Sequence, residues 1–325
     1  MKRTICKVLT SMLLVSVVAL YSGCPQSQNP GQGTKKEEQV PLATRVDENW
    51  IRISKNTFYM GDSNRQYTVI LTRDFLMCDH LVTQKEYEDI MGECPTNSYQ
   101  LTEGENQANL PMDAASWYQA IAYCNKRSLK EGLPLCYSVK KPDSKGNKTV
   151  EIDWENLKHS DIPTSDDAIW NEATCDFNAN GYRLPTETEW EYAARGGIKS
   201  TSQDVWAGTT DSTKVGDYAW FKDNSNNTVH EVKKKLPNGF GLYDMCGNIF
   251  EWCWDWYGEY PSYVPQSIDP KGPATQDGDK GKVMRGGAFL SDNVRSITVS
   301  YRGGDFFGGP AYDIVIGIRL VRTVQ

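Results

Sequence analysis

The C-terminal segment between Lys282 and Thr323 gathers the side chains best suited to bind a ligand or to do chemistry. It begins with KVMRGGAF and ends with IGIRLVRT, and both ends have the apolar pattern of buried strands. Between them lies a glycine-punctuated stretch that mixes hydroxyl, carboxylate, amide and aromatic side chains. A mixed loop held between rigid strands is a common way to present a binding or catalytic surface.

This segment has the composition of a recognition surface. Small polar side chains adapt their hydrogen bonds, and Tyr and Phe give a large contact area with only two torsions to freeze. The predicted ligand-binding residues are Ser291, Asp292, Asn293, Ser296, Thr298, Ser300, Tyr301, Asp305, Phe306, Phe307, Tyr312 and Asp313. Phe306 and Phe307 lie between two glycine pairs and are candidate hot spots if they are exposed. The alternative is that at least one of them packs in the core.

Residues that could hold a redox metal are scarce around this segment. The chain has three histidines, His80, His159 and His230, and none lies in the segment or in a His-x-His or His-x-x-x-His pair. Such closely spaced pairs are typical of metal sites. The last cysteine, Cys253, precedes the segment. The segment therefore offers hydroxyls and carboxylates but no thiol and no imidazole.

The N-terminal residues have the pattern of an export signal. MKRTICK is basic, and the apolar run that follows, about 13 residues, is too short to span a bilayer comfortably. Ser22, Gly23 and Cys24 come next, as in bacterial lipoprotein signals, so residues 1–23 are predicted to be removed and Cys24 to be lipidated. An ordinary cleaved secretory signal is the alternative. Residues 24–45 are polar and rich in Pro, Gly and Gln, which predicts a flexible tether before a domain at 46–325.

The cysteines after Cys24 are odd in number. They are Cys78, Cys94, Cys124, Cys136, Cys175, Cys246 and Cys253. Disulfides are permitted outside the cytoplasm, but an odd count leaves at least one thiol free. The sequence does not determine the connectivity.

Three stretches have the period and end signals of helices. VTQKEYEDIMG and PTETEWEYAARGG each contain a Thr-x-x-Glu capping-box pattern, at Thr83 and Thr186, and end at glycine. DAASWYQAIAYCNKRSLKEG is predicted to be a helix capped by Asp113 and stopped by Gly132. Upstream, WIRISKNTFYMGD and YTVILTRDFLMCDH are predicted strands. Residues 138–172 are polar and turn-rich, which predicts a surface excursion.

The stretch FEWCWDW has the two-residue period of a strand. Phe250, Trp252, Trp254 and Trp256 would share one face. Core packing is the expected role of these aromatic side chains.

Composition excludes some classes of protein. The net charge is −7 and Lys and Arg do not cluster, which argues against a nucleic-acid partner. With 39% apolar residues and ten tryptophans, the 325-residue chain has ample material for a core. Mixed helix and strand patterns without an internal repeat predict an irregular α+β domain.

Several motifs together resemble the formylglycine-generating enzyme (sulfatase-modifying factor) family. They are GYRLPTETEWEYAARGG, NGFGLYDMCGNIFEWCWDWYG, VMRGGAF and IGIRL, with TFYMGD, VTQKEYEDIM and LPMDAASWYQAIAYCNKRS upstream. The resemblance covers roughly residues 50–322. It implies a large, irregular C-type lectin-like fold, with few helices around small antiparallel sheets and with N- and C-terminal strands brought together. It is less specific for function, because one fold hosts several activities.

The resemblance does not extend to the family's catalytic cysteines. The sulfatase-activating members use two cysteines after the RGGS-like strand to bind copper, because Cu(I) selects thiolates. Ser291 and Ser296 stand at the matching places, and hydroxyls do not bind Cu(I). The iron-dependent relatives need a histidine set that this sequence lacks. No catalysis and no catalytic cofactor are therefore expected. The alternative is an atypical sulfatase-modifying oxidase that uses an unrecognised metal or the pair Cys246 and Cys253.

The resemblance also implies a structural calcium ion. Carried over from the family's YDMCGNIFEW-like segment, its ligands would be Asp244, Gly247, Ile249 and Glu251. Oxygen ligands in this number suit Ca²⁺. The alternative is that Asp244 and Glu251 accept hydrogen bonds from turn N–H groups.

A second resemblance concerns the C-terminal region, at about 285–322. It is similar to the variable region of lectin-fold proteins that are diversified by retroelements through adenine-directed substitutions, and a lipoprotein signal in front of such a fold resembles the variable proteins of Treponema. Side chains that arise from an Asn codon by changing its adenines dominate residues 291–315.

These observations predict a non-catalytic, surface-displayed, ligand-binding lipoprotein whose recognition surface lies at about 290–316. Its partner would be a macromolecule, either a protein or a host or bacterial surface, and it would meet the membrane only through its lipid anchor. The expected location is the bacterial cell envelope, on the outer membrane surface. A structural envelope protein without a specific ligand is a further alternative.

Overall fold

Helices in the computed structural model begin and end at local signals in the sequence. The structure describes residues 41–95, 101–146, 148–260, 266–303 and 315–324. Within these ranges the α-helices are α1 (Gln84–Met91), α2 (Trp117–Lys130), α3 (Ala168–Asn171), α4 (Glu187–Arg195) and α5 (Val215–Tyr218). Short 3-10 helices span Gln107–Asn109, His159–Asp161, Ser212–Lys214 and Val294–Ile297. None of these described helices is both long enough and apolar enough to cross a membrane.

Both predicted Thr-x-x-Glu capping boxes are confirmed. The Thr83 hydroxyl accepts a hydrogen bond from the backbone N–H of Glu86, and the Glu86 carboxylate accepts one from the N–H of Thr83. Thr186 and Glu189 make the same exchange at the start of α4. Each helix ends at a glycine in the left-handed region, where its last carbonyls are satisfied.

The predicted cap of α2 is wrong. Ser116, not Asp113, begins the helix, because Ser116 and Gln119 form a capping box of their own. Asp113 is fully buried three residues upstream. The helix ends close to the predicted stop, with Gly132 at φ 66°. A Ser-x-x-Gln pattern next to the apolar stripe is the stronger signal, because it satisfies two backbone donors at once.

The strands are short, and the two predicted near the N-terminus are four. The described strands are β1 (Ala43–Arg45), β2 (Trp50–Ile53), β3 (Thr57–Gly61), β4 (Gln66–Ile70), β5 (Phe75–Cys78), β6 (Tyr137–Ser138), β7 (Lys140–Pro142), β8 (Thr149–Glu151), β9 (Thr174–Cys175), β10 (Tyr182–Arg183), β11 (Phe250–Trp256), β12 (Ser267–Ile268), β13 (Lys282–Arg285), β14 (Arg302–Gly303), β15 (Ile316–Gly317) and β16 (Val321–Thr323).

Two sheets organise the domain. The first has the order β1-β2-β5-β16-β10, and all of its pairs are antiparallel. It brings N- and C-terminal strands together, as predicted. The second has the order β14-β13-β11-β15 and carries the C-terminal segment. A three-stranded sheet (β12-β4-β3) and two ribbons (β6-β9 and β7-β8) complete the described pairing.

The aromatic strand β11 lies in the core, as expected. The Trp252 indole donates to the carbonyl of Ala115, and the Trp117 indole donates to the carbonyl of Cys253. These bonds tie β11 to the start of α2 on either side. The region 138–172 is less superficial than predicted, because Trp154 and Trp170 are buried there.

The two ends of the C-terminal segment lie on either side of β11. β13 pairs with it antiparallel and β15 pairs with it parallel. Residues 282–285 are all buried. Gly287, just after β13, has φ 73°, and a Cβ there would lie 2.5 Å from Ile297 Cγ2 and from the Ser296 carbonyl oxygen. Glycine is therefore required where the chain leaves the frame.

Candidate functional site

The backbone at the end of the predicted recognition surface is held by one buried guanidinium. Arg285, at the end of β13, is fully buried and donates to the carbonyls of Val299, Ser300 and Tyr301 at 2.6, 3.1 and 2.9 Å. Its Nη2 also donates to Glu191 at 2.5 Å. Three consecutive carbonyls are thus satisfied by a side chain of the scaffold.

Glu191 on α4 connects this guanidinium to the rest of the core. Its carboxylate accepts from Arg195 at 2.6 Å and from the backbone N–H of Gly61 at 2.8 Å. Glu191 is completely buried and Arg195 nearly so. Removing one partner from such a buried ion pair costs about 3–5 kcal/mol, because the remaining charge loses its compensation. The recognition segment is therefore fixed through α4.

A short 3-10 helix, Val294–Ile297, forms the middle of the described surface. The Asn293 side chain caps it by accepting from the N–H of Arg295 at 2.9 Å. The Trp206 indole donates to the Val294 carbonyl at 2.7 Å, and the Val299 N–H donates to the Val205 carbonyl at 3.0 Å. A separate part of the chain, at 205–206, thus holds the helix from behind.

Side chains of the predicted binding residues differ in exposure. Asp292, Asn293 and Tyr301 are exposed, and Asp292 pairs with Lys222. Ser291, Ser296 and Ser300 are half-buried, whereas Thr298 is buried and donates to the Arg295 carbonyl at 3.0 Å. The other predicted residues, Asp305, Phe306, Phe307, Tyr312 and Asp313, lie outside the described residues, as does Cys24.

A pocket of about 510 Å³ opens beside this surface. Thr298, Ser300 and Tyr301 form part of its wall. The rest comes from distant parts of the sequence that were not predicted as site residues, namely Gly61, Asp62, Asn64, Arg65, Gln203, Tyr257, Tyr260, Arg295 and Arg302. No local motif marks these positions, because only the β3–β4 turn and the chain after β11 bring them to the C-terminal segment.

Neither serine at the family's cysteine positions has an activating base among its described contacts. The Ser291 hydroxyl accepts from the N–H of Ala288 at 3.1 Å and closes a turn. The alternative thiols, Cys246 and Cys253, are completely buried. Burial raises the pKa of Cys246 to about 12 and the pKa of Cys253 well above its usual value. Both are therefore held as thiols.

The predicted calcium ligands are divided in their contacts. Asp244 is buried, its Oδ2 accepts from the N–H of Lys233 at 2.8 Å, and its Oδ1 has no hydrogen-bond partner among the described residues. The Glu251 carboxylate instead accepts from Arg319 at 2.8–3.0 Å and from the Trp190 indole at 2.6 Å. Arg319 would thus compete with an ion for Glu251. Calcium at these residues stays a prediction.

Cys78, Asp79 and His80 form a buried cluster with the composition of a metal site. Asp79, however, already pairs with Arg45 at 2.8 Å and Lys233 at 3.0 Å. Burial alone would lower the pKa of His80, but Cys78 and the hydrogen bond to Asp79 raise it to about 12. The imidazolium therefore already supplies the cation that a metal would bring, and the cluster is an internal ion-pair network.

Comparison with known proteins agrees with this architecture. The family model described as "Sulfatase-modifying factor enzyme 1-like domain" matches residues 36–324. A protein named chaperone protein LppX, from Paenibacillus barcinonensis, is 30% identical over 324 residues, which is 96% of this chain and 97% of that protein. Formylglycine-generating enzyme from Streptomyces coelicolor is 35% identical over 137 residues, or 37% of this chain and 40% of the enzyme.

Among solved structures, Treponema denticola variable protein 1 is 34% identical, with a TM-score of 0.76, and the match covers 86% of this chain and all of that one. PvdO from Pseudomonas aeruginosa, at 17% identity and a TM-score of 0.56, has the same fold. The predicted irregular C-type lectin-like fold and the resemblance to a Treponema variable protein are thereby confirmed. The chain belongs to the family of sulfatase-modifying factor enzyme 1-like domains.

Proposed function

We propose that this chain is a non-catalytic lipoprotein of the bacterial cell envelope that binds a macromolecular ligand through a diversified surface at about 290–316. The observation that carries the proposal is the division of labour in the C-terminal segment. Buried Arg285 holds the carbonyls of residues 299–301, while the side chains of Asp292, Asn293 and Tyr301 are exposed. A surface built in this way can change its side chains without changing its backbone.

The similarity to a Treponema variable protein over that protein's whole length supports this function. The name of the Paenibacillus relative also suits a protein without an enzymatic reaction. An anchor at Cys24 would place the domain at the membrane, with residues 24–45 as its tether. The partner would be a protein or a cell surface. A net charge of −7 disfavours nucleic acid.

The test is the sequence of the 3′ end of the coding region in sister isolates. Substitutions clustered at adenine-derived codons within 285–322, beside unchanged Gly286, Gly287, Gly317 and Arg319, are the expected result. An invariant C-terminal region would contradict the diversified surface. Incorporation of labelled palmitate, and its loss in Cys24→Ser, tests the anchor independently.

An oxidase of the formylglycine-generating type is the alternative function, and the identity to the Streptomyces enzyme favours it. Copper bound in stoichiometric amount and turnover of a Cys-x-Pro-x-Arg peptide would establish it. We expect neither, because Cys246 and Cys253 are buried thiols and the serines 291 and 296 replace the family's copper ligands.

A further inference from the structure

The pocket beside the recognition surface has a second wall that lies outside the C-terminal region. Arg65 comes from the β3–β4 turn, and Tyr257 and Tyr260 come from the chain after β11. These residues belong to the part of the domain that the proposed diversification leaves constant. A ligand on the recognition surface would therefore meet one variable wall and one constant wall.

The pocket wall is rich in guanidinium groups. Arg65, Arg295 and Arg302 line it, and Asp62 is the single carboxylate among the described lining residues. The acidic partner of each arginine lies outside the wall: Glu259 for Arg65, Asp204 for Arg295 and Glu187 for Arg302. The guanidinium groups are thus on the pocket side and their counter-charges are not.

Two of these pairs are weak enough to be exchanged for a ligand. The Arg65–Glu259 and Arg295–Asp204 pairs are between largely exposed side chains. Such surface pairs contribute little, because solvent screens them and ordering two long side chains costs entropy. A carboxylate that enters the pocket can replace either partner without leaving a buried charge.

Arg302 is the rigid part of the wall. Its guanidinium carbon lies 4.3 and 4.2 Å from the ring centroids of Tyr257 and Tyr260. Its Nε and Nη2 donate to Glu187 at 2.5 and 2.8 Å, and its Nη1 donates to the Gly258 carbonyl at 2.8 Å. A guanidinium has five N–H donors in a fixed fork. Those contacts use three of the five, so two remain among the described contacts.

We propose that this pocket binds a carboxylate of an acidic peptide segment of the partner, with Arg65, Arg295 and Arg302 as its donors. The proposal rests on the proposed function and gives the constant wall a role in it, namely a fixed preference for acidic partners. A planar carboxylate matches the guanidinium fork in a bidentate manner. The neighbouring exposed Ser, Asn and Tyr side chains suit a polypeptide, because such residues are typical of protein-binding paratopes.

The experiment is fluorescence polarisation of labelled hexaglutamate and labelled hexalysine with the purified full chain at low salt. A chain of net charge −7 repels an acidic peptide in general, so binding of hexaglutamate would report a local basic site. We expect hexaglutamate to bind and Arg65→Ala/Arg295→Ala to weaken binding by about tenfold. Arg52→Ala is the matched control, because Arg52 is also a partly exposed arginine paired with a carboxylate, Asp74, but does not line this pocket.

A competition arm separates carboxylate from phosphate recognition. Acetate should displace the peptide at least as well as inorganic phosphate does; stronger displacement by phosphate would overturn the carboxylate assignment. The proposal also fails if hexaglutamate does not bind, or if the double variant binds it as well as the Arg52→Ala control does. Should that happen while sister isolates vary within 285–322, the recognition surface would stand and only its ligand class would fall.

Discussion

Arg285→Met tests whether a buried charge holds the recognition surface in place. Methionine is long and apolar, so the substitution removes the guanidinium while filling much of its volume. The carbonyls of residues 299–301 lose their donor, and Glu191 loses one of its two arginine partners. The segment after the 3-10 helix should therefore loosen more than the rest of the domain.

The size of the effect follows from what remains. Removing one member of a buried ion pair costs about 3–5 kcal/mol. The lower end applies here, because Arg195 still donates to Glu191 and because the half-buried Ser300 and exposed Tyr301 carbonyls can turn to water. We expect a loss of about 3 kcal/mol. At ~2 °C per kcal/mol for a domain of this size, the Tm should fall by ~6 °C.

Arg183→Met is the matched control. Arg183 is also a buried arginine in a bidentate pair, with Glu189 at 2.7 Å, but it contacts the C-terminus of β16 and not the recognition surface. Both variants should lose stability in urea by similar amounts. Only Arg285→Met should speed hydrogen exchange of the amides at 297–303 beyond what the global change explains. Equal exchange at 297–303 in the two variants would refute the reasoning.

Three further perturbations test other parts of the structure. Gly287→Ala should lower the urea midpoint by well over 1 kcal/mol of stability, since its Cβ would meet Ile297 and Ser296 atoms at 2.5 Å, whereas Gly278→Ala, at φ 59° with open space, should lose only the ~1 kcal/mol of left-handed strain; equal losses would contradict this. Burial and Glu187 raise the pKa of Asp255 to about 8, so the folded chain keeps a proton that the unfolded chain releases near pH 4, and this stability is lost as pH rises from about 4 to about 8; Asp255→Asn should flatten the profile, and parallel curves would refute it. Calcium added to EDTA-treated protein should raise the Tm, and Asp244→Asn should abolish the rise, whereas the absence of any shift would favour Arg319 as the permanent partner of Glu251.

Local signals predicted the elements well, because the groups that decide a helix end lie three residues apart. Thr83 with Glu86 is such a pair, and so is Ser116 with Gln119, which the prediction passed over for Asp113. The ordered motifs predicted the fold by resemblance. Periodicity and spacing alone would have given only an irregular α+β domain.

The site was harder to predict, because its contacts join distant parts of the chain. Arg319 and Glu251 are 68 residues apart, and Arg302 and Glu187 are 115 apart. The carboxylate of Glu251 suits calcium in the sequence, and only the folded arrangement reveals that Arg319 contacts it. The pocket wall at Arg65 has no sequence signal for the same reason.

A surface can accept many side chains only if its backbone conformation does not depend on them. In the described part of this one, Arg285, the Trp206 indole and the Val205 carbonyl hold the chain from the scaffold side. Asn293 is an exception, because its side chain caps the 3-10 helix, and replacing such a cap by Ala costs about 1 kcal/mol. Exposed Asp292 has no such role, and its surface pair with Lys222 contributes little. Asp292→Ala should therefore stay within about 0.5 kcal/mol of the parent in urea, while Asn293→Ala should not. Equal losses would mean that the surface carries its own backbone and that its freedom to vary is limited.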